Sequence, residues 1–169
     1  MAERAGVFYL DTDLPELVSI KASLVPSLHA AELPGTLRVE ALDALDRAAF
    51  RTAVGGMPAG PVAIVHEGLL MYLDEDEKAR LAANVREALC ERGGAWITAD
   101  VYVRTRAPVF REERTKKFLE QHRVEEKKFA DLAAAEAFFT SQGFAVTHVL
   151  APENDPWRVR QTWVLSAKT

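Results

Sequence analysis

A chain of 169 residues with 49% hydrophobic and 27% charged residues has the composition of one globular domain. Its net charge of −4 gives no electrostatic reason to expect nucleic-acid or anionic-membrane binding, and no apolar run approaches the roughly 20 residues of a membrane span. The four histidines are widely scattered, so we expect no metal site. The single cysteine, Cys90, and an N-terminus unlike a secretory signal lead us to expect a cytoplasmic protein.

The N-terminal third of the chain alternates β-type runs with helical patterns. Pro15 suits the first turn of a helix, with Asp13 or Thr12 as its cap. Glycine and proline separate the elements and place the loops between them. We predict in order a strand, a helix, a strand and a short helix, over Val7–Leu10, Pro15 to about His29, Thr36–Leu42 and Leu45–Val54.

The next strand is predicted over the apolar run Pro61–Val65, which suits a strand covered on both faces. It is followed by His66 and Glu67. Ligands of open α/β sheets bind beyond the carboxyl ends of parallel strands, so Glu67 is a candidate site residue. A carboxylate at this position needs a partner, and a surface salt bridge is the alternative to a site role.

The remainder continues the alternation and ends in two strands that we expect to pair antiparallel. Its most charged stretch, Arg104–Lys128, predicts either a solvated helical face or a lid over a site. The order of elements predicts an α/β doubly wound sheet, mostly parallel, with an antiparallel C-terminal edge. The predicted helices and strands are Asp74–Glu91, Ala95–Val101, Phe129–Gln142, Phe144–Leu150 and Arg160–Ser166.

Two strings of residues resemble a known family. Asp11–Val18 followed by Lys21, and more specifically Val65–Leu73, are similar to strand signatures of the leucine carboxyl methyltransferase-like family. That family includes polyketide O-methyltransferases and uses S-adenosylmethionine. The resemblance implies a Rossmann-like methyltransferase sheet that transfers a methyl group to a carboxylate or hydroxyl of a small molecule.

The resemblance also implies roles for individual residues. The acid after the second strand of the family fold binds the ribose hydroxyls, a role that falls to Asp13, with Asp11 as the alternative. Asp43 and Ala44 would border the adenine, and Glu67 would lie near the methionine portion of the cofactor.

The resemblance places Tyr72 in the lining of the methyl-transfer pocket, which makes it the candidate catalytic residue. S-adenosylmethionine carries its own leaving group, so such a site mainly positions the acceptor, and a carboxylate acceptor needs no base. Structural alternatives stay open: packing for Tyr72, helix capping for Asp13 and Asp43, and a strand-end filling role for His66.

One feature departs from the family pattern. Only Met1–Gly6 precedes the strand at Val7, so the family's first strand and its glycine loop are missing. That strand is central, between those that start at Val7 and Pro61. Residues 1–169 are therefore expected to form a single, N-terminally truncated methyltransferase domain that binds its cofactor weakly or not at all alone. A homodimer or a complementing chain could supply the strand.

Two other functions compete with methyl transfer. A non-catalytic, degenerate half-domain would act through self-association or a partner chain, because an unfilled sheet centre exposes strand edges. A dinucleotide-dependent oxidoreductase ranks last, since the chain contains no GxGxxG loop.

Overall fold

The computed structural model describes residues 6–25, 34–104, 113–150 and 160–168. The chain divides into two compact units, Met1–Ala59 and Gly60–Thr169. Each unit has a sheet of its own. No helix in the described ranges is long and apolar enough to span a bilayer. A single methyltransferase domain over the whole chain stays a prediction.

The first unit has the predicted order of strand, helix, strand and helix. Its two strands are parallel neighbours, with Asp13 opposite Ala41. Asp46 caps the second helix, since its Oδ1 accepts hydrogen bonds from the amides of Ala48 and Ala49 at 2.9 and 3.0 Å. The elements are β1 (Phe8–Asp13), α1 (Pro15–Leu24), β2 (Thr36–Ala41) and α2 (Arg47–Gly55).

The predicted cap of α1 is wrong. Thr12 and Asp13 still belong to β1, and Leu14 is the N-cap, with no side-chain hydrogen bond to the helix. Pro15 does occupy the first turn, where its missing N–H costs nothing. The described helix ends at Leu24, and the predicted extension over residues 26–29 lies outside the described residues.

The second unit contains a four-stranded sheet in the order β3-β4-β6-β5. β3 and β4 are parallel, and β6 runs antiparallel to both β4 and β5. This arrangement confirms the α/β fold class with a reversed last strand. The elements are β3 (Val62–His66), a 3-10 helix (Leu70–Tyr72), α3 (Glu75–Arg92), β4 (Gly94–Tyr102), α4 (Glu113–Gln121), α5 (Val124–Lys127), α6 (Leu132–Ser141), β5 (Phe144–Leu150) and β6 (Arg160–Ala167).

Helix α3 follows the sequence prediction closely. Asp74 and Glu77 form a capping box, in which each side chain accepts the other's backbone N–H at 2.8 Å. Apolar residues at helical spacing form its buried stripe: Leu81, Val85, Ala88 and Leu89. The helix ends at Arg92, one residue beyond the predicted end at Glu91, with Gly93 as its C-cap. Gly94 then brings β4 so close to β3 that a Cβ atom there would lie 1.9 Å from the Val62 carbonyl oxygen.

The core of the second unit is aromatic. Trp96 on β4 is fully buried, with ring centroids 5.3 Å from Phe139 of α6 and 5.0 Å from Phe144 of β5. Phe139 also packs against Trp163 of β6 at 5.8 Å. Such tilted and edge-to-face pairs stabilise a core beyond the area that they bury. Helix α6 is thereby fixed on one face of the sheet.

The prediction that β3 is covered on both faces is wrong. Val62 is buried, but Val65 is 53% exposed. Within the described residues, β3 has a strand neighbour on one side only, namely β4, so it is an edge strand. The apolar run correctly predicted a strand, but its burial depends on neighbours that the local sequence does not specify.

Candidate functional site

Two of the predicted site residues, Asp11 and Asp13, share one partner. The ammonium group of Lys21 on α1 lies 3.0 Å from Asp11 Oδ1 and 3.1 Å from Asp13 Oδ2. Alternate residues of a strand face the same side, so both carboxylates face α1. The hydrogen bond from Lys21 to Asp11 is the main cause that raises the pKa of Lys21. Two carboxylates and one ammonium group therefore lie together at the carboxyl end of β1.

Asp13 makes further contacts that fix this end of the strand. Its Oδ1 accepts the backbone N–H of Leu14 at 2.9 Å, and its carbonyl oxygen accepts that of Leu42 at 2.9 Å. A carboxylate offers about four acceptor positions. The bonds to Leu14 and Lys21 occupy one position on each oxygen, so the side chain, which is 30% exposed, retains capacity for hydroxyl donors.

Asp43 and Ala44 follow β2 at the same end of the two-stranded sheet. Asp43 Oδ1 accepts the amide of Leu45 at 2.9 Å and so stabilises the turn before α2. The capping role considered for Asp43 falls instead to Asp46, which is the N-cap of α2. The first unit thus brings Asp11, Asp13, Asp43 and Ala44 to the carboxyl ends of two adjacent parallel strands.

The other face of this sheet carries a separate cleft. Phe8 and Leu10 alternate with the aspartates along β1 and point toward α2 instead. Together with Ala49 and Ala53 of α2 they line a cleft of about 380 Å³. None of the predicted site residues lines it.

Glu67 and Tyr72 belong to the second unit. Glu67 follows β3 directly and is exposed. The neighbouring His66 ring lies 5.5 Å from the Trp96 ring, which suits the strand-end packing considered for it. Tyr72 is at the end of the 3-10 helix, 36% exposed, with its ring edge-on to His122 at 6.1 Å.

The sequence analysis missed Lys78 on α3. This lysine is only 3% exposed, and its Nζ donates to the carbonyl oxygens of Leu73 at 2.8 Å and Lys127 at 2.5 Å. The Phe129 ring lies 5.4 Å from the same nitrogen. Burial is the main cause that lowers the pKa of Lys78. A signal did exist, because Lys78 stands three residues before Leu81 on the buried stripe of α3.

The contacts of Lys78 form one side of a groove of about 1250 Å³ in the second unit. Its walls come from the start of α3, from α5 and from α6, and they carry charges of both signs. Val124 of α5 is 1% exposed, so this part of the charged stretch is more than a solvated face. Residues 105–112 of the stretch lie outside the described residues, and a lid stays a prediction.

Metal ligands do not gather in the described ranges. No group of three or more histidine, cysteine, aspartate or glutamate side chains there could hold a metal ion. The polar groups that the structure does bring together are the carboxylates of β1 and the carbonyl-bound lysines around Tyr72.

Solved structures with a similar fold give these positions a context. The chain is similar to a structure described as the mitomycin 7-O-methyltransferase MmcR, with a TM-score of 0.64 and 13% identity over 96% of this chain. The fold is the Rossmann-like methyltransferase fold. The LepI complex with SAM matches with a TM-score of 0.63 and 12% identity, and a structure described as a pericyclic reaction enzyme matches at 0.66 and 11%. The matches to LepI and to the pericyclic reaction enzyme both cover 98% of this chain.

The chain spans less than half of these neighbours, since the matches cover 42% of MmcR and 37% of the other two chains. Searches with the sequence found no matching family model and no matching curated protein. The methyltransferase fold is therefore established by structure alone, and the resemblance to the leucine carboxyl methyltransferase-like family stays a prediction.

Proposed function

We propose that the chain is an S-adenosylmethionine-dependent O-methyltransferase domain of the leucine carboxyl methyltransferase-like type. Its acceptor would be a carboxylate or hydroxyl of a small molecule, as in polyketide O-methylation. Two kinds of observation support this proposal: the methyltransferase fold, and the acidic residues at the carboxyl end of β1 and directly after β2 and β3. The fold alone does not determine the chemistry, because one of the matched structures is described as a pericyclic reaction enzyme.

The observation that carries the proposal is the carboxylate pair at the end of β1. Lys21 holds Asp11 and Asp13 in place while leaving acceptor positions on Asp13. Such a carboxylate can accept hydrogen bonds from the vicinal hydroxyls of a ribose. These residues fit the ribose of the cofactor, with Asp13 as the principal ligand and Asp11 as the alternative.

The other parts of the cofactor would meet the residues after the next two strands. Asp43 and Ala44 would border the adenine beside the ribose. Glu67 would lie near the methionine portion, where an exposed carboxylate suits the cofactor's ammonium group.

When bound, S-adenosylmethionine supplies the electrophilic methyl group and its leaving group. The chain's contribution is to hold the acceptor in line and to exclude water from it. Tyr72, partly exposed beside His122, would line the acceptor side. A carboxylate acceptor needs no general base, whereas a hydroxyl acceptor has to pass its proton to a base or to water.

Residues 1–169 contain no counterpart of the family's glycine loop, so we expect this stretch of chain to bind the cofactor weakly. The test is a titration with S-adenosylhomocysteine, followed by backbone NMR shifts and by calorimetry. We expect a dissociation constant well above micromolar, with shifts at Asp13, Asp43, Ala44 and Glu67. Micromolar affinity would overturn the expectation of weak binding.

Asp13→Asn tests the ribose assignment, since it removes the charge but keeps the shape of the side chain. The matched control is Glu16→Gln, an exposed acid in the first turn of α1. We expect Asp13→Asn to abolish the ligand-induced shifts and Glu16→Gln to retain them. Equal shifts in both variants, or none in the wild-type chain at millimolar ligand, would overturn the assignment.

A further inference from the structure

Lys78 bridges the ends of two short helices. Leu73 is the C-cap residue of the 3-10 helix Leu70–Tyr72, and Lys127 is the last residue of α5. The last carbonyls of a helix lack donors within it and carry the negative end of its dipole. The buried ammonium of Lys78 donates to both, at 2.8 and 2.5 Å.

A second lysine, Lys127 of α5, donates in return to the segment just before α3. Lys127 Nζ donates to the Tyr72 carbonyl oxygen at 2.6 Å. Tyr72 and Leu73 are thus bound by two lysines, one on α3 and one on α5. Arg104 adds a similar bond at the other side of α5, to the Glu126 carbonyl at 2.8 Å. The position of α5 is therefore set by cations on carbonyl oxygens as well as by the buried Val124.

Apolar packing alone would not require a lysine at this position. Burial of an ammonium group costs free energy that its hydrogen bonds only partly offset, and an apolar side chain of similar size avoids that cost. The lysine adds directional hydrogen bonds, which fix the positions of two carbonyl groups relative to each other. One of these carbonyls belongs to Leu73, next to Tyr72, whose ring lies edge-on to His122 just before α5.

We propose that Lys78 is a positioning residue that sets Tyr72 against α5 and thereby shapes the acceptor side of the site. The part of this inference that concerns the acceptor rests on the proposed function. The positional part stands on the contacts of Lys78 and Lys127 alone, and it is tested without any ligand.

The test uses the whole chain with isotope-labelled tyrosine. The chain has three tyrosines, and Tyr72→Phe assigns the signal of interest. We expect Lys78→Met and Lys127→Met each to shift the Tyr72 ring signal and to raise amide hydrogen exchange at residues 70–73. Lys117→Met, at an exposed lysine of α4, is the matched control and should change neither.

Lys127→Met keeps the test decisive if Lys78→Met does not fold, because its bond to Tyr72 is exposed. An unchanged Tyr72 signal in Lys127→Met would overturn the inference. In a chain shown to transfer methyl groups, Lys78→Met should raise the acceptor KM about tenfold with cofactor affinity unchanged, since small misplacements cost rate. A rise in the acceptor KM accompanied by an equal loss of cofactor affinity would indicate a general structural defect and would contradict the positioning role.

Discussion

The ammonium of Lys21 lies 3.0 Å from Oδ1 of Asp11, which joins the first helix of the chain to the strand before it. The side chains are 35% and 30% exposed, so water and salt screen the pair. We expect Lys21→Met to lower the free energy of unfolding by about 0.5–1 kcal/mol at low salt and by less at high salt. Urea denaturation at two ionic strengths measures this, and a loss independent of salt would contradict it.

The same pair has a defined pH dependence. The hydrogen bond to Asp11 raises the pKa of Lys21 above 10.5 in the folded chain. Its stabilising contribution is therefore complete below pH 10.5 and is lost as the pH rises through the higher folded value. On the alkaline side, the difference in stability between wild type and Lys21→Met should shrink in that range.

Asp46 and Asp43 differ in what they do for α2, although both precede it. Asp46 caps two amides, whereas Asp43 holds one turn amide. We expect Asp46→Ala to cost about 1 kcal/mol of stability and Asp43→Ala about half of that. Thermal denaturation followed by circular dichroism compares the two variants. A larger loss for Asp43→Ala would make its structural role the dominant one.

Gly94 is required by a close approach between strands. Its φ of +111° is unfavourable for other residues, and an added Cβ would overlap the Val62 carbonyl. Gly94→Ala should destabilise the chain by about 2–4 kcal/mol. Gly55→Ala, at the end of α2 with open space around it, is the control. A Gly94→Ala variant as stable as the wild type in urea would refute the β3–β4 contact.

The pKa of Lys78 is shifted in the opposite direction to that of Lys21, so its effect on stability at alkaline pH has the opposite sign. Burial lowers its pKa below 10.5, against the opposing charges of Glu75 and Asp74 and with a small contribution from Lys127 and Arg104. Between the folded value and 10.5 the unfolded chain binds more protons, so the free energy of unfolding rises with pH. This rise should be absent from Lys78→Met once the profile of Lys117→Met is subtracted. An identical rise in Lys78→Met would assign it to another group.

Sequence reasoning succeeded where local chemistry decides the outcome. Helix α3 was predicted over Asp74–Glu91 and is observed over Glu75–Arg92, because capping residues and glycines specify the ends of a helix locally. The alternation of strands and helices likewise gave the fold class.

The failures concern features that depend on distant partners. Val65 is exposed although its run is apolar, since coverage of a strand depends on its neighbours in the sheet. The cap of α1 shifted to Leu14 because β1 extends through Asp13 to pair with β2. Lys78 was assigned no role, as its acceptors lie at Leu73 and at Lys127, the latter 49 residues away.

The burial of Lys78 also gives the chain an internal reporter of local opening. Reagents that acylate amines need direct access, so exposed lysines such as Lys117 react at once, whereas Lys78 reacts only when α3 separates from α5. The rate at which this one amine is acylated, measured by mass spectrometry, would report the transient separation of α3 from α5 under native conditions.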